Sequence, residues 1–185
     1  MCNNEEALYA SEAYSSPISP PPFMVGMAEV EIDKETGELE LIDYVAVVDC
    51  GTVVNPSLAR VQTEGGLAQG IGMAMYEDVI YNAKGKNYSN SFMQYKIPSV
   101  WMWAISGWNL KAATSRQARL ERKSIGEIVI NTPSPAIASA VSHAVGVKVR
   151  ELPITAEKSI LGDAGRRLRK ISISIKLDVE IFLER

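Results

Sequence analysis

The pattern that most restricts what this chain can fold into is a period of two that starts near Met24. Met27, Glu29, Glu31 and Asp33 fall on one side, and Ala28, Val30 and Ile32 on the other. Successive side chains of a strand point to opposite faces, so this alternation predicts one wet face and one buried face. The run Lys34-Glu35-Thr36-Gly37-Glu38 then reads as a turn, and residues 39–48 alternate again. The expectation is a β-hairpin with one apolar face. Such a ribbon is marginal alone, so the remaining chain has to supply helices or strands that cover that face.

Downstream segments can do so. After Asn55-Pro56 the spacing turns helical: Pro56 and Ser57 supply a start signal, and Leu58, Val61, Leu67, Ile71 and Met75 recur near one helical period. Gly66, Gly70 and Ala74 form a stripe of small residues, where either another backbone or a bulky cofactor could lie close to the main chain. Residues 79–81 and 88–91, joined by Asn82-Ala83-Lys84-Gly85-Lys86, predict a second hairpin. Residues 133–145 read as a helix capped by Thr132 or Ser134, 147–152 as a strand and 155–161 as a short helix. Residues 1–23 are polar and then proline-rich, which suits an extended connector from an upstream region. Residues 159–185 form an atypical tail in which the basic cluster of residues 165–170 is a solvated turn. Residues 171–182 alternate there like an edge strand.

With 185 residues, 46% of them hydrophobic and 22% charged, the chain is long enough for one globular domain or two small ones sharing a core. A formal charge of -3 gives no overall attraction to nucleic acid or anionic lipid, and neither is expected as a partner. Cys2 and Cys50 supply neither a disulfide framework nor a repeated CxxC spacing, which fits a reducing compartment. No run approaches the roughly 18 apolar residues of a membrane span, and residues 1–6 do not read as a secretion signal. These features lead to the expectation of a cytoplasmic protein.

Three motifs bear on chemistry. Ser124-Ile125-Gly126-Glu127 runs into Ile130-Asn131-Thr132-Pro133-Ser134-Pro135-Ala136 and places a carboxylate beside a glycine just ahead of a helix start. By spacing alone Glu127 is an exposed loop carboxylate. Gln62-Thr63-Glu64-Gly65-Gly66 offers an amide that both donates and accepts, followed by glycines that permit close approach; tight helix packing and cofactor contact are equally open readings. The third, Val48-Asp49-Cys50-Gly51-Thr52-Val53-Val54-Asn55-Pro56, is a strand end and a loop, in which turn chemistry accounts for Asp49 and Asn55, and Cys50 is a small core residue. Gly70-Ile71-Gly72 is not a dinucleotide fingerprint, since the third glycine is absent. His143 stands alone and reads as helix surface or core, not as a ligand.

Together these motifs resemble the C-terminal part of the molybdenum-binding subunit of the xanthine dehydrogenase and aldehyde oxidase family, over roughly residues 16–100 and 123–158. The resemblance implies an α+β fold of mixed-sheet hairpins with packed helices, residues 24–158 belonging to the molybdopterin-binding domain. It implies molybdopterin as cofactor, in plain or dinucleotide form, with Gln62, Gly65, Gly66 and Gly126 beside it and no protein ligand to the metal. Glu127 takes the place of the catalytic base in a reaction that hydroxylates a purine, another N-heterocycle or an aldehyde with oxygen from water. Electrons leave through iron-sulfur centres and FAD carried by partner domains or subunits, and the remaining part of the molybdenum subunit completes the site. The chain alone is then expected to be inactive. Readings from other classes are a non-catalytic, truncated or frameshifted remnant that at best docks with other subunits, and a stand-alone binding module.

Residues 101–122 match nothing in the family pattern, although both flanks do. Codons can be chosen for residues 101–123 that, read starting two bases in, encode DVGDIRVEFESGYESTGPFGAK: a turn, an alternating strand and a glycine-rich loop leading into Ser124. One base lost near Val100 and one gained at Lys123, in the gene or its sequencing, would produce the string as it stands. A lineage-specific insertion or a surface helix over residues 110–122 is the alternative.

Overall fold

A computed structural model describes residues 9–13, 15, 19–33, 35–99, 107–111, 122–161 and 171–173. The first predicted hairpin is present, as β1 (Phe23–Ile32) and β2 (Leu39–Asp49) paired antiparallel. Its turn is built by Asp33, whose Oδ1 accepts from the Glu35 and Thr36 amides at 2.8 and 2.9 Å, and by Gly37 at φ 73. Ala28, Val30 and Ile32 are the buried set on β1, as the alternation requires. On β2 the register slips: Glu29 faces Asp43 but Val30 faces Leu41, so Ile42 is an extra residue. This β-bulge keeps Leu41 and Tyr44 both on the core side although three positions separate them.

Two short strands extend the hairpin into a mixed four-stranded sheet of order β3-β2-β1-β4. β3 (Gly107–Lys111) runs parallel to β2, and β4 (Ile171–Ile173) runs antiparallel to β1 at the other edge. Leu110 and Lys111 therefore lie in a strand and not in the helix that residues 110–122 could form as written; residues 112–121 lie outside the described residues, as do the basic cluster at 165–170 and residues 174–182.

Helix α3 (Pro133–Val145) packs on the apolar face against β1, and α1 (Pro56–Met75) packs in turn on α3 and on the one-turn α2 (Ile128–Asn131), with α4 (Ala156–Leu161) following. The core they close contains Val30, Tyr44, Ala46, Leu67, Ile71, Ile137 and Val141. The fold is thus α+β with helices on a mixed sheet. Asn55 starts α1, its Oδ1 accepting from the Leu58 amide at 3.1 Å. The stripe of small residues on α1 is filled by protein. A Cβ at Gly66 would stand 2.1 Å from Val129 Cγ2, and one at Gly70 would stand 2.7 Å from Pro133 Cγ, so α2 and the start of α3 occupy the space that a cofactor could have used.

Three local expectations are corrected. Residues 79–91 form only an isolated Tyr81–Asn87 bridge, because side chains take the ladder's partners: Ser89 Oγ accepts from the Ile80 amide and Asn87 Oδ1 from the Ser89 amide. Residues 147–152 form no strand, since the Val149 amide donates to Ser142 Oγ at 2.9 Å and turns the chain back onto α3. Thr132 is the N-cap residue of α3, as one of the two readings had it, but no side chain caps a helix amide there: the Thr132 hydroxyl meets Tyr44 and Met24, and the Ser134 hydroxyl donates to the Gly70 carbonyl.

Candidate cofactor-facing cleft

Asp49 closes β2 and organises the loop between β2 and α1. Its Oδ1 accepts from the Gly51 amide at 3.0 Å, fixing a turn that Gly51 completes at φ 64, and the chain then runs out to the Asn55 cap of α1. Its Oδ2 takes Lys123 Nζ at 2.5 Å. The Lys123 amide donates to the Cys50 carbonyl at 2.9 Å, and Arg122 bridges Gly51, so residues 122–126 run beside residues 50–55.

Between these two segments lies a cavity of about 500 Å³. Val53, Val54, Leu58 and Ile125 give it apolar walls; Asn55, Gln62 and the Gly126 backbone give it polar ones. Cys50 is also on the wall but is 5% exposed, and burial pushes its thiol up from its ordinary value, so it stays protonated and a poor ligand. Among the described residues no cluster of histidine, cysteine and carboxylate side chains could hold a metal ion.

The residues singled out from the sequence divide into two groups. Gln62 and Gly126 line the one cavity from two separate chain segments. Gly65 lies one helical turn beyond Gln62 on the same exposed face of α1, with nothing within 4 Å of a Cβ built there; the same is true at Gly126. Gly66 points the opposite way, into α2, where packing accounts for it. Glu127 follows Gly126 at the head of α2 and is exposed; its side chain caps no helix amide, while its carbonyl accepts from Ile130. The partial burial expected of a catalytic base is therefore not supplied by the described residues. His143 lies on the exposed surface of α3.

Asn55, Asp49 and Lys123 line or tie this cleft without having been marked as site residues. Asn-Pro at a helix start is a readable cap signal, but no local spacing pairs Asp49 with Lys123.

A four-stranded mixed sheet carries the helices, and the cleft beside the end of β2, walled mainly by apolar side chains with Asn55, Gln62 and Gly126 among them, has the form of a candidate ligand-binding module. The chain belongs to the molybdopterin cofactor-binding domain family, whose family model matches residues 2–102. It is 33% identical, over 84% of its length, to the 6-hydroxypseudooxynicotine dehydrogenase complex subunit gamma of Paenarthrobacter nicotinovorans, of which it covers 20%. It is 34% identical, over 82% of its length, to the probable hypoxanthine oxidase XdhD of Escherichia coli (strain K12), of which it covers 16%. Among solved structures it resembles quinoline 2-oxidoreductase from Pseudomonas putida 86, with a TM-score of 0.68 and 31% identity over 75% of this chain and 18% of that one. The chain thus spans a fifth or less of the length of these relatives.

The residues present fit a pterin cofactor. The cavity is of the size that encloses small organic groups, its apolar walls suit a flat ring system, and the Gln62 amide can pair with ring nitrogens and carbonyls in either sense. At Gly65 and Gly126 the main chain is bare, so a ligand can approach the backbone itself.

Proposed function

We propose that this chain is the C-terminal portion of the molybdenum-binding subunit of a molybdenum hydroxylase, forming one wall of an active site that hydroxylates a purine, another N-heterocycle or an aldehyde. The observation that carries the reading is that Gln62 and Gly126 line one cavity from two chain segments, with Glu127 next to Gly126 on the loop. When bound, the molybdenum cofactor supplies the redox centre that takes up the substrate's electrons. Gln62 holds the cofactor through its amide, and the bare backbone at Gly65 and Gly126 lets it lie close. Glu127 holds and moves a proton at its carboxylate oxygens, and its effectiveness requires that further polypeptide exclude water from it.

That polypeptide is the remaining part of the molybdenum subunit, and the electrons pass on to iron-sulfur and FAD subunits. The word "complex" in the name of the Paenarthrobacter relative supports a multi-subunit setting, and the hypoxanthine and quinoline in two other names support an N-heterocyclic substrate. A cytoplasmic location belongs to the same proposal. No helix among the described residues is long and apolar enough to cross a membrane.

The same reading treats residues 101–122 as a segment out of frame. It is supported by the family match, which stops at residue 102, and by β3, which lies where the shifted frame reads an alternating strand. Resequencing of this stretch tests it, and an unbroken frame encoding the string as written overturns it.

Glu127→Gln tests the function. In the complex assembled with the rest of the subunit and its partners, cofactor content stays at the parent level and turnover falls by about 10²–10⁴-fold. Turnover within a few-fold of the parent would remove Glu127 from the chemistry.

A further inference from the structure

The two walls of the cleft come from parts of the chain far apart in sequence, and one ion pair joins them. Asp49 uses one carboxylate oxygen to hold the turn that leads to α1 and the other to hold Lys123. The Lys123 side chain is only 7% exposed and that of Asp49 15%, so the pair is shielded from water. The Phe23 ring lies 5.2 Å from Lys123 Nζ and adds a second favourable surface for the cation. The Lys123 amide is tied to the Cys50 carbonyl as well, which gives this one residue two links to the opposite wall.

At the other end of the loop, Val129 is lodged against Gly66 of α1. Between these two anchors Ile125 packs inward against Val48, Cys50 and Val129, while Gly126 meets nothing where a Cβ would stand and Glu127 is exposed. The position of the Gly126–Glu127 turn is therefore set largely by its ends.

We propose that Asp49 and Lys123 are positioning residues: their ion pair clamps the two walls of the cleft together and sets where Gly126 and Glu127 stand relative to Gln62. What the cleft holds rests on the function proposed above; the clamp itself does not. Position 123 is lysine in both readings of the preceding segment, so the clamp is also independent of the frame of residues 101–122.

The test uses the full chain and then the assembled complex. In hydrogen–deuterium exchange on the chain, Lys123→Met speeds exchange of the amides at residues 123–127 by about tenfold or more and leaves those of β1, β2 and α3 unchanged. Lys123→Arg restores most of the protection. Should Lys123→Met fail to fold, Asp49→Asn serves, since an amide oxygen still accepts from Gly51 and only the charge pairing is lost. In the assembled complex Lys123→Met lowers kcat by up to about 10²-fold, as a misplaced catalytic group does, with KM within about twofold and full cofactor content. Unchanged exchange at 123–127, or a uniform rise over the whole chain, overturns the clamp. So does local loosening with an unaltered kcat in a complex whose turnover Glu127→Gln does cripple; where Glu127→Gln is also without effect, it is the proposed function that fails. If the parent complex takes up no molybdopterin, the proposed function fails, and the exchange measurement still decides the clamp.

Discussion

The hydroxyl of Tyr44 donates to Oγ1 of Thr132 at 3.0 Å, joining the middle of β2 to the joint between α2 and α3. Thr132 in turn donates to Met24 Sδ at 3.3 Å, and Gly26 leaves the space: a Cβ there would stand 2.0 Å from the Tyr44 oxygen. Tyr44→Phe keeps the ring and removes the link, and the expected loss is about 1–2 kcal/mol in urea unfolding of this chain at neutral pH. No change would mean that the joint is held by packing alone.

The same residue confers an alkaline limit. Burial pushes the Tyr44 phenol up to about 12, the bond with Thr132 opposing only in part, against 10.0 ordinarily. A folded value above the unfolded one means that the stabilisation is complete below about pH 10 and is lost as pH rises toward 12. The parent chain is expected to lose about 2–3 kcal/mol over that window relative to Tyr44→Phe. Parallel stability curves for the two proteins would contradict this.

Adjacent glycines on α1 are predicted to respond with opposite sign. Gly66→Ala drives a Cβ to 2.1 Å from Val129 Cγ2 and is expected to cost about 1–3 kcal/mol, with Val129→Ala relieving most of it. Gly65→Ala meets nothing and sits inside a helix, so the chain gains about 0.5–1 kcal/mol, readable as a rise in Tm. In the assembled complex the same change is expected to lower molybdopterin content, because the added methyl stands on the face that the cofactor would approach.

Asn55→Ala removes the side-chain oxygen that holds the Leu58 amide, and about 0.5–2 kcal/mol of stability with it. Asn55→Asp keeps an acceptor there and should retain most of that stability in the same denaturation assay.

Much of the scaffold was legible because it is encoded locally. The alternation over residues 24–48 names the buried set of β1, and the Asn-Pro start of α1 and the Pro133–Val145 helix are where their neighbours in sequence place them; of the apolar period on α1, Leu67, Ile71 and Met75 are buried but Leu58 and Val61 are exposed. The misread elements failed where side chains took over backbone partners, as Ser89 and Asn87 do in the second hairpin and Ser142 does before Val149. The bulge at Ile42 was hidden for a different reason: both faces of that stretch carry apolar residues, so a one-residue slip leaves no mark in the pattern.

The motifs around Gln62 and Glu127 were enough to point to a molybdopterin-binding family, because short segments with characteristic residue types at fixed spacing carry that information by themselves. Tertiary structure alone decided that Gly65 faces out while Gly66 is spent on packing, that Gln62 and Gly126 share one cavity, and that Asp49 meets Lys123 across 74 positions of chain. The direction of a helix face and the meeting of distant residues depend on how elements pack, and no local period records that.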